Sequence, residues 1–116
     1  MGMYIAISKN VGWGTSGGVF DCIIEATRKQ FSGSQAGCMS EIYRPLDEQG
    51  QSFIALDEVD AHCFKLFYEN CKLAMEKFPN SERGRFVPRD HLPGILWNWS
   101  EVLRLMTEDP RFLMVK

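Results

Sequence analysis

The string Gly12-Trp13-Gly14-Thr15-Ser16-Gly17 is the part of this chain with the clearest capacity for chemistry, because it spells G-x-G-x-x-G between an apolar run and an amphipathic stretch. In a dinucleotide site such glycines let the backbone turn tightly and approach a pyrophosphate at a helix start. Here Lys9 and Asn10 are polar where a strand should still run into the turn, and no second β-α-β half follows. Gly12 and Gly17 also have phosphate-loop spacing, yet Gly18-Val19 stands where a Lys-Ser/Thr pair must neutralise phosphate and hold magnesium. Gly12, Gly14, Gly17 and Val19 fit a kinase glycine loop, but none of the other kinase motifs follows. We expect a flexible strand-to-helix connection from 10 to 18 in which Trp13 is a candidate anchor for a binding partner.

The remaining reactive residues do not assemble a reaction centre by spacing. His62 and His91 are the two histidines. His62 adjoins Cys63 on a predicted helix, where neighbours point about 100° apart and make a poor metal pair. The four cysteines, Cys22, Cys38, Cys63 and Cys71, contain no Cys-x-x-Cys pair. They are expected to be reduced, half-buried small hydrophobes. No metal ligand set, cofactor or catalytic residue is assigned. Acidic residues are plentiful, with Asp47 beside Glu48 and Asp57 near Glu58 and Asp60. These carboxylates fall in a predicted turn and helix start, wet places that do not raise a carboxyl pKa for acid–base work.

The elements that would carry these residues follow from hydrophobic periodicity. Residues 3–7 read as an opening strand. A helix is predicted from 17 to 31, with Val19, Phe20, Ile23, Ile24 and Phe31 along one stripe. Residues 38–43 and 51–56 read as a hairpin around Asp47-Glu48-Gln49-Gly50, with Pro45 marking an edge or bulge. Asp57 is the expected cap of a long helix to about Phe78. Residues 80–90 read as a loop, and a helix carrying Ile95, Leu96, Trp99, Val102, Leu103 and Met106 follows, with a break near residues 98–100. Trp97 and Trp99 are two apart, so on a helix one should be core and the other rim, whereas on a strand they would share a face. Asp109-Pro110 should cap a last turn over 111–115. The order β-α-β-β-α-α implies a single α+β domain, residues 1–116, with helices packed on one face of a small, mostly antiparallel sheet.

Bulk properties narrow the function classes. At 116 residues, 45% hydrophobic and 24% charged, the chain fits one ordinary core. A net charge of −2 argues against nucleic acid as the main partner. No apolar stretch is long enough to span a bilayer, so no membrane role is expected. The first residues lack a basic-then-apolar signal pattern, so cytoplasmic residence is expected. Charge is unevenly spread: residues 41–60 hold six carboxylates against Arg44 alone, whereas Arg83, Arg85 and Arg89 surround Phe86. Two surfaces of opposite sign can select a charged protein partner.

The short strand over 3–7, the acidic region over 41–60 and the close Gly94-Ile95-Leu96-Trp97-Asn98-Trp99-Ser100 resemble, in size and style, the bacterial immunity proteins of toxin systems, including those of contact-dependent growth inhibition. The resemblance implies a bacterial inhibitor without chemistry of its own, which neutralises a cognate toxin with a basic surface, a nuclease in this class, by covering its active site. Asp47, Glu48, Asp57, Glu58 and Asp60 would then meet the basic cleft, with Trp13 and Tyr43 as central aromatic anchors. The oligomeric state is left open. Two other readings remain at this point: a small nucleotide- or phosphometabolite-binding enzyme using the Gly12 to Gly18 loop, and an adaptor subunit unconnected with toxins.

Overall fold

Alternation along the first residues sets the inner and outer faces of a small sheet. The computed structural model describes residues 3–114. In strand β1 (Met3–Ala6), Ile5 is fully buried while Tyr4 is exposed, and Ile7 just beyond the strand is again fully buried. The chain turns over Ser8 to Val11, where Ile7 N–H and Ser8 N–H both donate to the Val11 carbonyl at 2.9 Å. It returns as β2 (Gly12–Thr15), antiparallel to β1 with Ala6 opposite Gly12 and Tyr4 opposite Gly14. The third strand, β3 (Phe53–Ala55), runs parallel to β1 with Ile5 opposite Ile54, giving the order β2-β1-β3.

This pairing corrects the reading of the glycine string. Residues 12–15 are ladder, and the helix α1 (Gly17–Arg28) begins directly after its cap Ser16. Across the strand, the outer end of the Tyr4 ring lies where a Cβ on Gly12 would stand. Residues 12–15 being ladder, no loop is left there to wrap a pyrophosphate.

The predicted hairpin is also replaced. Residues 38–43 belong to helix α2 (Ala36–Asp47), not to a strand. Ile42 and Tyr43 are buried, with Cys38, Met39 and Leu46 packed on the core, a spacing of three and four that is helical. Pro45 lies in the last turn of α2, and Glu41, whose carbonyl loses the Pro45 donor, sits at the exposed surface where water can replace it. The sheet is therefore mixed, one antiparallel and one parallel pairing, within an α+β fold.

Helix α3 (Ala61–Lys77) is capped by Asp60, whose carboxylate accepts from Cys63 N–H at 2.8 Å; Asp57, the expected cap, lies outside the helix. The short α4 (Glu82–Phe86) occupies the segment predicted as loop, after Ser81 caps it by accepting from Gly84 N–H at 3.0 Å. Helix α5 (Leu92–Thr107) runs unbroken through residues 98–100. Helix α6 (Pro110–Met114) is the expected last turn; Val115 lies outside the described residues. The observed order is β-β-α-α-β-α-α-α-α, in place of β-α-β-β-α-α.

The core lies where α1, α3 and α5 meet the inner side of the sheet, with α2 against β3. Trp99 is fully buried at its centre, donating Nε1–H to the Cys71 carbonyl at 3.0 Å and lying 5.2 Å from the Phe78 ring. Trp97 is the rim member of the pair, 57% exposed. Two cysteines depart from expectation: Cys38 and Cys63 form a disulfide that ties α2 to the first turn of α3. Cys22 and Cys71 are free and buried, as hydrophobes. No helix among the described residues is long and apolar enough to cross a membrane.

Candidate functional site

Three helix ends converge on one side of the molecule. The start of α1 brings Ser16, Gly18, Val19 and, one turn on, Cys22. The α4 segment brings Arg83 and Phe86, the following loop brings Asp90 and His91, and α5 brings Gly94, Ile95 and Asn98. Together they line an open groove of about 710 Å³. Local chemistry explains why α4 can form its wall. Ser81 Oγ donates to the Phe78 carbonyl at 2.6 Å while accepting from Gly84, and a Cβ on Gly84 would strike that same carbonyl. Only glycine lets this turn close so tightly.

The groove pairs apolar walls with a few polar groups. Phe86 stands 83% exposed at its edge, an unusual position for a large ring. Among the described residues Arg83 forms no salt bridge, so its charge is available to the groove. It lies close enough to the Cys22 thiol to oppose the effect of burial, which nevertheless pushes that thiol above its ordinary value. Cys22 is therefore a protonated part of the floor, not a thiolate nucleophile. His91 is exposed and precedes α5. Asn98 is held at both ends: it donates to the Gly94 carbonyl at 2.8 Å and accepts from Trp13 Nε1–H at 3.0 Å.

The residues proposed from sequence as a partner surface are scattered. Trp13 is half-buried, bonded to Asn98 and set edge-on to Trp97 with ring centres 5.7 Å apart, so it buttresses the groove wall. Tyr43 cannot be an anchor, because it is fully buried, donates to the Ile24 carbonyl at 2.6 Å and lies under the Arg28 guanidinium at 4.2 Å. Asp47 is held by Arg28 at 2.8 Å, a clamp between α1 and α2. Glu48 is exposed at the end of α2, and Asp60 is occupied in capping α3. Asp57 and Glu58 do meet, joined by Glu41 and Arg44 around a shallow cavity of about 380 Å³. Among the described residues no cluster of three or more His, Cys, Asp or Glu could hold a metal ion.

Sequence reading missed the groove. Its visible signal was the basic run Arg83, Arg85 and Arg89 around Phe86, but nothing in the spacing tells that the α1 start and Asn98 come to face that run. His91, for which spacing along the chain supplied no partner, stands on the groove lining.

No protein-family model matches the chain, and no curated protein matches it in sequence. The fold does match a solved structure, that of the CdiA-CT toxin from Burkholderia pseudomallei E479 in complex with its cognate CdiI immunity protein. The TM-score is 0.82 at 24% identity, over 95% of this chain and 98% of the matched chain. At that identity the likeness is one of fold, and the matched structure is that of a toxin held by an immunity protein. The expectation of an inhibitor is corrected: the matched structure is named for a toxin with its immunity protein, and the expected inhibitory surface has lost Tyr43 to the core and Asp47 to an internal ion pair. The alternative reading of a nucleotide loop from Gly12 to Gly18 falls with the β1–β2 ladder.

Proposed function

We propose that the chain is a toxin-like domain of the contact-dependent growth inhibition type, with the groove between α1, α4 and α5 as its working face. The observation that carries this reading is the whole-length fold likeness to a structure of a CdiA-CT toxin with its immunity protein. A groove with Arg83, His91, Asp90 and Asn98 on apolar walls supports it, since such sites are concave and mostly apolar with a few convergent polar groups. The partner is then an immunity protein. The exposed carboxylates Asp57 and Glu58 beside Glu41 suit a basic patch on that partner, where they would steer association and discriminate against wrong partners.

The test is induced expression of the chain in a bacterial host, alone and together with the small protein encoded beside it. Growth arrest by the chain alone, relieved by the second protein, is expected. Normal growth of the host with the chain alone, at full expression of folded protein, contradicts the reading.

A further inference from the structure

We propose that the Cys38–Cys63 disulfide is a redox latch on the carboxylate face around Asp57 and Glu58, holding the start of α2 in place when oxidised and freeing it when reduced. The inference rests on the toxin-like reading only in taking that face as a partner surface, and it names the regulation of that face.

The bridge encloses the face in sequence: every residue lining its cavity lies between Cys38 and Cys63. Two strips make the face, Glu41 and Arg44 from α2 and Asp57 and Glu58 from the approach to α3. The second strip is fixed independently, since Arg111 donates to the Leu56 and Val59 carbonyls. Helix α2 is fixed unevenly. Its second half is tied to α1 by Arg28 on Asp47 at 2.8 Å and by the Tyr43 hydroxyl donating to the Ile24 carbonyl at 2.6 Å. Its first half has weaker supports. Among the described residues no side chain caps it, Gly37 lies in its first turn, and a 3.4 Å hydrogen bond from Asn70 to Gln35 stands just ahead of it. The bridge supplies the covalent hold there, three residues before Glu41.

A reductant can reach the bridge from the α2 side. Cys38 is half-buried beside the exposed Ala36 and Gly37, and a Cβ on Gly37 would meet nothing within 4 Å. A dithiol reductant balances the step. One of its thiolates attacks the Cys38 sulfur, the S–S bond breaks, and Cys63 leaves as a thiolate that takes up a proton. The second thiol then displaces Cys38 as a thiol, and the reductant ends as its own disulfide, having given two electrons. Cys22 and Cys71 do not exchange into the bridge, because both are buried thiols kept protonated by burial. With the bridge open, residues 36–41 lose their tie to α3 and Glu41 leaves Asp57 and Glu58. The groove between α1, α4 and α5 lies outside the closed segment and keeps its shape.

The test is backbone amide relaxation of the intact chain, oxidised, then in a dithiol reductant, then reoxidised. Order parameters over Gly37 to Glu41 are expected to fall from about 0.85 to below about 0.6 in reductant and to recover on reoxidation. Those of α1 and α5 should stay as they were. The Cys38→Ser, Cys63→Ser variant should show the low values without reductant and respond no further to it. Unmoved values over residues 37–41, or an equal fall across all the helices, would overturn the latch. Affinity for the small protein encoded beside the chain should weaken about tenfold in reductant. Equal affinity in both states, with α2 loosened, would overturn its control of the face.

This outcome separates from that of the toxin-like reading. Growth arrest by a chain whose α2 ignores reductant removes the latch alone. A loosened α2 in a harmless chain removes the toxin-like reading and leaves the latch.

Discussion

Arg111 joins more parts of the molecule than any other side chain in the hydrogen-bond network. Its guanidinium donates to the carbonyls of Ile7, Leu56 and Val59 and pairs with Asp109, so α6 is pinned to the ends of β1 and β3. It also lies over the Phe64 ring at 4.2 Å. Arg111→Ala strips several part-buried carbonyls of their donor and leaves Asp109 unpaired. We expect a loss of about 3 kcal/mol in urea unfolding, with Arg111→Lys recovering only part because an ammonium lacks the planar fork.

Hydrogen bonds from the Arg111 side chain hold the Asp109 carboxyl below its ordinary value of 3.8. A carboxyl depressed on folding stabilises fully above its unfolded value and loses that contribution as pH falls through the folded one. Stability should therefore fall below about pH 4, and Asp109→Asn should remove this part of the acid dependence in denaturant midpoints taken across pH. Tyr43 is a parallel case in the core. Tyr43→Phe leaves the Ile24 carbonyl without its donor and should cost about 1 kcal/mol or slightly more, with no effect on partner binding.

At the scale of elements, two constraints govern where the helices sit. The Cys38–Cys63 bridge closes a segment of 25 residues between α2 and α3. By chain entropy, its removal should cost about 3 kcal/mol, read as a lower melting temperature in reductant that a Cys38→Ser, Cys63→Ser double variant reproduces without reductant. Gly84→Ala would drive a methyl into the Phe78 carbonyl, so α4 should shift and carry Arg83 out of the groove.

These elements also show what sequence patterns could and could not convey. The stripes of α1, α3 and α5 were legible because Phe20, Ile23 and Ile24, then Cys63, Phe67, Cys71 and Ala74, recur at helical spacing and are buried. Helix α2 was misread since Met39, Ile42, Tyr43 and Leu46 also fit a short apolar strand, and Pro45 biased the choice toward a sheet edge. Strand β2 was read as a loop because Gly12 and Gly14 have low strand propensity; the compensating Tyr4 packing is a tertiary fact. The groove stayed invisible for the same reason, its lining coming from the α1 start, α4 with its following loop, and α5.

For the whole molecule, the groove and the carboxylate-rich cavity beside β3 are separate regions. Arg83 and His91 line the groove, whereas Asp57, Glu58 and Glu41 gather beside β3 around a separate cavity. Under the proposed toxin-like reading, target and immunity protein engage different residues. Charge reversal at Asp57 and Glu58 should then weaken the complex with the immunity protein and leave growth inhibition intact. The direct trial of the central claim is the growth rate of a bacterial host after induction of the intact chain, compared with the Arg83→Ala, His91→Ala variant at equal soluble yield. The account predicts arrest by the intact chain and near-normal growth with the variant; unimpaired growth in both cultures would contradict it.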